Sequence, residues 1–579
     1  MFKRSKRRAS LAAMGLVLAA VFVTGRPTLG AMGAPAGVNT PGRAFSLPLK
    51  EAVGEGGASA VSDRMRQALI SPRLWAEMAA QGQADVLIVL REQADLSGAE
   101  RLSSKEAKGR CVFDALRATA HRSQAPLVAY LRARGIPYQA FYLVNVLLVR
   151  GDRDLLRELA ARPEVARLEA NPRVRADVPL PSPDRTGTHT QAAATIPWGV
   201  VRVHAPEVWA LGIRGKDVVV AGADTGIFWA HEALQASYRG WDGAQADHNT
   251  NWHDAISDQP VPYDDHGHGT LTLGTVVGEA EYERIGMAPA ARWIGCKNMD
   301  AAGYGTPARY LECFQFFLAP YPHGGDPVTD GDPGLAPDVI NNSWTCPPSE
   351  GCDADTLRAA VEAVRAAGIA VVVSAGNYGS GCGTVQYPPS FYDAAFSVGA
   401  FDSGDRIASF SSRGPVTADG SGRLKPDVAA PGVSVRSSSS SGGYGTGSGT
   451  SMAAPHVAGQ VALMLAANSQ LRGRVDVIEE IITQSAEATT ATVACGGEPA
   501  GVVPNNTWGY GIIDALDAVQ AALAWDPSTP TSTPTATAMP TATATPTATS
   551  TPAPGWRVYL PLLFKVTSSK VSDHKFQVR

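Results

Sequence analysis

The sequence predicts an α/β fold in which a parallel sheet carries helices on both faces, preceded by a small α+β domain. Between residues 217 and 402, short apolar runs alternate with segments of helical length. This alternation is typical of strand–helix–strand units, which build parallel sheets. The chain has 579 residues, of which 44% are hydrophobic, so more than one domain and a sizeable core are expected.

The main domain is predicted to contain at least five buried strands and two long helices. The strands are DVVVAGADTGI (217–227), ARWIGCKNM (291–299), DVINNSW (338–344), IAVVVSAGN (369–377) and FSVGAFD (396–402), and the helices are TPARYLECFQFFLAPY (306–321) and TLRAAVEAVRAAG (356–368). Ligands bind at the carboxyl ends of parallel strands. Polar residues at those ends are therefore the first candidates for a functional site.

Residues 85–177 predict the smaller α+β domain. The runs DVLIVL (85–90) and YLVNVLLVR (142–150) read as strands, and residues 104–135 have helical spacing. Residues 153–170 read as a second helix that turns back into a strand. The linker that follows, residues 178–197, is rich in Pro, Thr and Ala.

The two ends of the chain differ from these domains in composition. Residues 1–33 predict a secretory signal peptide, because basic residues precede an apolar run of 13 residues, Leu11–Val23, which is shorter than the ~20 that a membrane span needs. Residues 34–84 form a pro-region to which no structure is assigned. The main domain is placed at 198–525, a Thr/Pro-rich spacer at 526–555 and a tail at 556–579.

No later stretch is long enough to cross a bilayer, so the protein is expected not to span a membrane. The spacer and tail indicate attachment at the cell surface. Charge is unevenly divided: residues 1–177 hold 27 basic and 16 acidic side chains, and the remainder holds 23 and 38. This asymmetry argues against a nucleic-acid-binding protein and predicts two parts that attract each other.

Six of the seven cysteines lie after residue 197, and export would permit disulfides among them. Six cysteines allow 15 pairings, which the sequence does not resolve, although Cys346 and Cys352 are spaced to close a short loop. A zinc site is weakly supported because no Cys-x-x-Cys pair exists.

Four residues at predicted strand ends and helix starts form the candidate site: Asp224, His268, Asn377 and Ser451. Each has an ordinary structural interpretation, since a serine before a helix usually caps it and an Asp-Thr-Gly turn often ends a strand. Together they supply a nucleophile, a base, a carboxylate that orients the base and a donor for an oxyanion.

The order Asp, His, Ser along the chain is that of the subtilisin type of triad. The blocks ADTGI, HGTLTLGT, NNSW, VVVSAGN, KPDVAAPG and GTSMAAPHVAG resemble the successive signatures of the subtilisin-like serine endopeptidases, or subtilases, over about residues 198–522. The resemblance implies a subtilisin-like fold, a triad of Asp224, His268 and Ser451, and an oxyanion hole of the Asn377 side chain and the Ser451 backbone N–H.

The resemblance also implies further features. Peptide substrates would bind along two segments, Ser343, Trp344 and Thr345, and Ser374, Ala375 and Gly376. No cofactor is needed for the chemistry. Members of the family often bind calcium, which the acidic remainder of the chain would suit, although no ligand loop is evident. Residues 85–177 resemble a propeptide that acts as chaperone and inhibitor, and the enzyme is expected to cut its own chain between about Val174 and Trp198.

Some features depart from the family pattern. Leu271 stands where a second histidine is usual, and Thr345 stands where glycine is common. His266 competes with His268 as the base, but only His268 is followed by Gly-Thr at the family spacing. A metal pair of His266 and His268 is the weaker interpretation, because no third ligand is evident.

Two alternative functions remain open at this stage. The turn at Asp224 and a second turn at Asp402–Gly404 match the Asp-Thr-Gly pattern of aspartic peptidases, whose two carboxylates share a proton. That fold is all-β, whereas this chain predicts α/β. The other alternative is a non-catalytic binding protein displayed at the surface, against which the intact set of site residues argues.

Overall fold

A computed structural model describes residues 69–175, 182–183, 195–347 and 352–528. The predicted signal peptide and most of the 34–84 pro-region lie outside the described residues. So do most of the predicted linker, almost all of the Thr/Pro-rich spacer and the whole tail.

The N-terminal α+β unit is a four-stranded antiparallel sheet with three helices. Its elements are α1 (Pro72–Gln81), β1 (Gln83–Leu90), α2 (Lys105–Ala133), β2 (Tyr138–Phe141), β3 (Val146–Asp152), α3 (Arg153–Ala160) and β4 (Val165–Ala170), with strand order β2-β3-β1-β4. Leu74 and Met78 of α1 pack in the same apolar core as Val86 and Leu168. The folded unit therefore begins before residue 85, within the region left without predicted structure.

The main domain contains a seven-stranded parallel sheet, as the sequence predicts. Its strands are β7 (Val219–Asp224), β8 (Trp252–Asp254), β11 (Arg292–Lys297), β13 (Val339–Asn342), β14 (Ala370–Ser374), β15 (Phe396–Phe401) and β16 (Val428–Pro431), in the order β16-β15-β14-β13-β7-β11-β8. The short strands β8 and β16 at the two sheet edges were not predicted. Strand β7 lies between β13 and β11, so its carboxyl end has a neighbouring strand on each side.

Helices cover both faces of this sheet. Successive residues of a strand point to opposite faces, and because the strands are apolar on both faces, each face needs a covering layer. Val220 of β7 packs in one apolar core and its neighbour Ala221 in the other. The helices are α4 (Trp198–Arg202), α5 (Ala205–Ala210), α6 (His268–Val277), α7 (Pro307–Leu318), α8 (Arg358–Ala366), α9 (Thr450–Ala467), α10 (Val475–Ser485) and α11 (Ala515–Ala524). Helices α7 and α8 contribute to the Ala221 core, and α9, α10 and α11 to the Val220 core.

The N-terminal unit shares the Ala221 core. Residues of its sheet, such as Leu87 and Val146, belong to the same buried apolar cluster as residues of α7 and α8. The contact also has the predicted charge complementarity, because Lys105 Nζ lies 2.9 Å from Asp338 Oδ1 in a largely buried ion pair.

Short two-residue and four-residue strands complete the structure. They are β5 (Val174–Arg175), β6 (Ser182–Pro183), β9 (Glu279–Ala280), β10 (Glu283–Arg284), β12 (Tyr304–Gly305), β17 (Val435–Ser438) and β18 (Tyr444–Gly447). Strand β5 pairs with β12 and β6 pairs with β18, both antiparallel. Part of the chain predicted to be an irregular linker is thus held against the main domain.

Three disulfides link the cysteines of the main domain, in the pairs Cys296–Cys313, Cys346–Cys352 and Cys382–Cys495. The short loop predicted between Cys346 and Cys352 is among them. Cys111, in the N-terminal unit, is a free thiol. Across the part of the chain that the structure describes, no helix has the length and apolar character needed to cross a membrane.

Candidate active site

Asp224 is the last residue of β7, an interior strand of the sheet, and lies at the sheet's carboxyl edge. Its side chain is almost completely buried, and its Oδ1 accepts hydrogen bonds from the Thr225 backbone N–H at 2.7 Å and from His268 Nδ1 at 2.8 Å. The bond to Nδ1 sets the orientation of the imidazole and leaves Nε2 as the nitrogen that is available for a second partner.

The turn before His268 is fixed by a second carboxylate. Asp264 accepts hydrogen bonds from the Thr225 hydroxyl at 2.9 Å and from the Gly267 and Thr270 backbone N–H groups at 2.7 and 2.9 Å. Gly269 allows α6 to approach the end of β7 closely, since a Cβ there would lie 2.1 Å from the Gly226 carbonyl oxygen. These contacts hold the first turn of α6 against the strand that carries the Asp224 carboxylate.

Ser451 is the second residue of α9, whose residues from Thr450 to Leu465 are all buried. The helix contains Pro455, which has no N–H to donate to the carbonyl of Ser451 four residues earlier. That carbonyl instead accepts a hydrogen bond from the Ser343 hydroxyl at 2.9 Å. The proline therefore frees the carbonyl that ties the Ser451 turn to the end of β13.

In the trio of Asp224, His268 and Ser451, one atom of the histidine and one of the serine have no hydrogen-bond partner within the described ranges. These atoms are His268 Nε2 and Ser451 Oγ, and their residues are 0% and 1% exposed. Helices α6 and α9 pack against each other, and Leu271, the residue that departs from the family pattern, contacts Met452 in a small apolar cluster. Buried, unpaired polar atoms are costly, so they indicate a site where a partner is acquired during function.

Asn377 lies three residues beyond β14, not at the end of the strand as the sequence predicts, because the strand ends at Ser374. Its Oδ1 accepts hydrogen bonds from the Thr450 backbone N–H at 2.8 Å and the Thr450 hydroxyl at 3.0 Å. Both bonds use the amide oxygen. The Asn377 Nδ2 group, adjacent to the Ser451 turn, is therefore the end of the side chain that remains to donate.

The two predicted substrate segments follow adjacent strands, β13 and β14, and both contact the turn that carries Ser451. Ser343 reaches the Ser451 carbonyl, and the Gly376 backbone N–H donates to the Thr450 hydroxyl at 3.1 Å. Trp344 is buried, stacks on Tyr310 at 4.2 Å between ring centroids, and donates to the Ala223 carbonyl at 2.9 Å. The segments Ser343, Trp344 and Thr345, and Ser374, Ala375 and Gly376, are thus brought to the turn that carries Ser451.

His266 lies beside the trio without joining it. Its ring centroid is 6.4 Å from that of His268, and burial, followed by the nearby His268, lowers the pKa of His266. Among the described residues, no group of three or more His, Cys, Asp or Glu side chains is arranged to hold a metal ion. The metal interpretation of the two histidines therefore finds no third ligand there.

Asp402 is not a partner for Asp224. It follows β15, which is separated from β7 by β14 and β13. Three steps of about 4.8 Å put the two strand ends about 14 Å apart, much farther than a shared proton allows. The Asp402 carboxylate instead pairs with Arg406 at 2.8 Å.

Sequence reasoning missed two residues that organise the site, Asp264 and Lys297. Lys297 is the last residue of β11 and is 0% exposed, and its ammonium donates to the Thr225 carbonyl and, at 2.6 Å, to Asp265 Oδ1. A lysine within the apolar run ARWIGCKNM was the available signal, because a buried lysine needs a charged partner.

Comparison with known proteins identifies relatives of this chain. Residues 215–511 match the model of the subtilase family. The chain is 33% identical over 552 residues to bacillopeptidase F of Bacillus subtilis strain 168, covering 90% of this chain and 36% of that protein, so it spans about a third of that relative's length. It is 30% identical to subtilisin E of the same strain, covering 58% of this chain and 76% of subtilisin E, and 34% identical to subtilisin DY of Bacillus licheniformis, covering 49% and 91%.

Proposed function

Because the chain belongs to the subtilase family, we propose that it is a serine endopeptidase in which Asp224, His268 and Ser451 form the catalytic triad. The observation that carries the proposal is the buried 2.8 Å bond between Asp224 and His268 Nδ1. Within the described ranges, His268 Nε2 and Ser451 Oγ have no hydrogen-bond partner. A base with one nitrogen oriented and the other free, on a helix that packs against the helix carrying an unpaired hydroxyl, is suited to proton transfer from that hydroxyl.

In the first half of the reaction, Ser451 Oγ attacks the carbonyl carbon of the peptide bond and His268 Nε2 takes its proton. Asp224 holds the imidazole through Nδ1 and stabilises the imidazolium that forms. The tetrahedral oxyanion accepts hydrogen bonds from Asn377 Nδ2 and from the Ser451 backbone N–H, which lies in the first turn of α9 and has no helical acceptor. The imidazolium then protonates the leaving amine, and the acyl-enzyme remains.

The second half repeats these steps with water. His268 Nε2 removes a proton from the water that attacks the ester, and the same two donors hold the second oxyanion. Collapse of this intermediate breaks the bond to Ser451 Oγ, which recovers its proton from His268. Every proton is carried by residues of this chain, so the chemistry needs no cofactor.

Labelling with a fluorophosphonate tests the proposal. The purified protein should hydrolyse denatured casein, and the fluorophosphonate should both label it on Ser451 and abolish hydrolysis. The Ser451→Ala variant should show neither labelling nor hydrolysis. A folded protein that no longer carries the N-terminal unit, and that is neither labelled nor active, would overturn the proposal in favour of a binding protein. Hydrolysis that resists the fluorophosphonate would require another nucleophile.

We also propose that the enzyme cuts its own chain between Arg175 and Ser182. Strand β5 pairs Arg175 with Tyr304 just beyond the end of β11, and β6 pairs Ser182 with Thr446 on β18, which ends four residues before Ser451. Because β5 and β6 are each paired with the main domain, the chain between Arg175 and Ser182 is held at both ends, which supports a scissile bond within it. The tethered segment would be present at high effective concentration.

The N-terminal unit would then act as an inhibitory propeptide. Its support is the docking contact: Gln315 Oε1 of α7 accepts from the Tyr142 backbone N–H at 2.9 Å, and Asn171 Oδ1 accepts from the Ala308 N–H in the first turn of α7 at 3.0 Å. Arg173, next to β5, pairs with Asp300 at 2.6 Å. These bonds attach the unit to α7 and to the loop that carries Asp300, beside the pairing of β5 with β12.

Export completes the proposal. The predicted signal peptide at 1–33 and the three disulfides support a secreted protein, since disulfides persist in oxidising compartments. Attachment at the cell surface through residues 526–579 rests on composition alone. Protein or peptide substrates and the enzyme's own N-terminal unit are the expected partners.

A further inference from the structure

We propose that a hydrogen bond between Thr345 and Tyr378 closes the cleft that receives the substrate side chain next to the attacked carbonyl, and so restricts that residue to small side chains. This inference rests on the proposed function. The Thr345 hydroxyl and the Tyr378 hydroxyl lie 3.1 Å apart. The bond joins the segment that follows β13 to the segment that follows β14.

Both joined segments contact the turn that carries Ser451, so they would form the walls of the cleft at the nucleophile. Ser343, two residues before Thr345, contacts the Ser451 carbonyl, and Asn377, next to Tyr378, contacts Thr450. Strands β13 and β14 are direct neighbours in the sheet. A side chain that leaves the attacked residue between these walls would meet the Thr345–Tyr378 pair.

The tyrosine ring lies against the segment that follows β14. A Cβ built on Gly376 would be 2.9 Å from Tyr378 Cδ2, so the ring lies directly against Gly376 while its hydroxyl extends to Thr345. Gly376 has a φ of +103°, which glycine adopts without strain. The ring and the threonine together therefore take up space between the two walls.

Both ends of this bridge are firmly held. Thr345 is 3% exposed, and the next residue, Cys346, donates its backbone N–H to the Pro388 carbonyl at 2.7 Å and is bonded to Cys352. Tyr378 packs edge-to-face on Tyr387 at 4.4 Å between ring centroids. Widening the cleft for a large side chain would require breaking these contacts, so large residues should be disfavoured.

The test is the kcat/KM of the processed enzyme on succinyl-Ala-Ala-Pro-Xaa-p-nitroanilides in which Xaa is Ala, Leu or Phe. The wild type should prefer Ala to Phe. Thr345→Gly and Tyr378→Ala should each raise the Phe-to-Ala ratio of kcat/KM by about tenfold or more, since a methylene or two in such a pocket changes the ratio by about 10–200-fold. Labelling of each variant by the fluorophosphonate verifies that Ser451 remains assembled.

Two matched variants distinguish loss of the Thr345–Tyr378 hydrogen bond from a non-specific effect of substitution near the site. Thr345→Ser keeps the hydroxyl and should leave the ratio within about threefold of wild type. Tyr387→Phe keeps the supporting ring and removes only a hydroxyl that accepts from Gln386 at 3.3 Å, so it too should leave the ratio unchanged.

Equal hydrolysis of the Phe and Ala substrates by the wild type would overturn the inference, as would a ratio unaffected by both Thr345→Gly and Tyr378→Ala. Failure of the proposed function looks different. In that case the wild type is unlabelled by the fluorophosphonate and cleaves none of the three substrates.

Discussion

The Nδ1 atom of His268 lies 2.8 Å from the Oδ1 atom of Asp224, and the two side chains are 0% and 3% exposed. The carboxylate comes from the end of the interior strand β7 and the imidazole from the first residue of α6, which are 44 residues apart in the chain. Water is excluded from this pair, so its hydrogen bond is not weakened by competing solvent.

Replacement of the two neighbouring histidines should have unequal effects on catalysis. His268→Ala removes the base that contacts Asp224 and should lower kcat on the order of 10⁴-fold or more. His266→Ala should change kcat less than about tenfold, because His266 has no contact with Asp224 among the described hydrogen bonds. Steady-state kinetics on a peptide p-nitroanilide measures both, and similar losses would contradict the choice of His268.

Loss of the Asn377 amide should affect the transition state more than substrate binding. We expect Asn377→Ala to lower kcat by about 10²–10³-fold with little change in KM, since its donated bond forms mainly to the oxyanion. Thr450→Val is the matched control, because it removes the hydroxyl bonded to Asn377 Oδ1 but keeps the Nδ2 donor. A loss as large in Thr450→Val, or an effect confined to KM, would assign Asn377 a structural role.

The site of self-cleavage can be read from N-terminal sequences. The Ser451→Ala protein, produced in a protease-deficient host, should retain the N-terminal unit, whereas the wild type should begin between residues 176 and 182. The substitution removes one oxygen atom and should leave the fold intact. If both proteins begin at the same residue of this interval, another protease performs the cut.

The count of free thiols should distinguish the precursor from the processed enzyme. In unreduced, denatured Ser451→Ala precursor, alkylation followed by mass measurement should detect one thiol, that of Cys111. The processed wild type should show none, because its six cysteines are paired. Reduction before alkylation is the control and should yield all seven in the precursor, whereas several alkylated cysteines without reduction would contradict the three disulfides.

Stability should fall in acid through His456, which follows Ser451 by five residues in α9. Burial lowers the pKa of His456 from 6.5 to about 4, although its hydrogen bond to the Met452 carbonyl acts in the opposite direction. Between pH 6.5 and 4, His456 is therefore mostly protonated in the unfolded chain and mostly neutral in the folded chain. The corresponding stability, about 3 kcal/mol, is fully present above pH 6.5 and is lost as pH falls, with about 2 kcal/mol lost by pH 5.

Urea unfolding of the Ser451→Ala protein at pH 7.5 and pH 5 measures this loss without self-digestion. His456→Gln in the same background should be less sensitive to the change in pH by about 2 kcal/mol, because glutamine does not titrate. All other groups are the same in both proteins, so the difference belongs to residue 456. Equal pH dependence of the two proteins would show that His456 titrates normally.

The sequence by itself determined the class of fold, the positions of five of the main strands along the chain and the identity of Asp224, His268, Asn377 and Ser451 as candidates. These follow from local properties: apolar runs form strands, strand–helix alternation forms a parallel sheet, and the signature blocks lie where strands end and helices begin. Charge composition likewise predicted an attraction between the N-terminal unit and the main domain.

Only the tertiary structure decided which distant groups meet. The disulfide pairs, the Asp264 carboxylate under the His268 turn, the buried Lys297 and the Thr345–Tyr378 bond all join residues far apart in the chain. So do the pairings of β5 and β6 with the main domain. Such contacts depend on how strands order in the sheet and how loops pack beyond their ends, and no periodicity within a single segment encodes that arrangement.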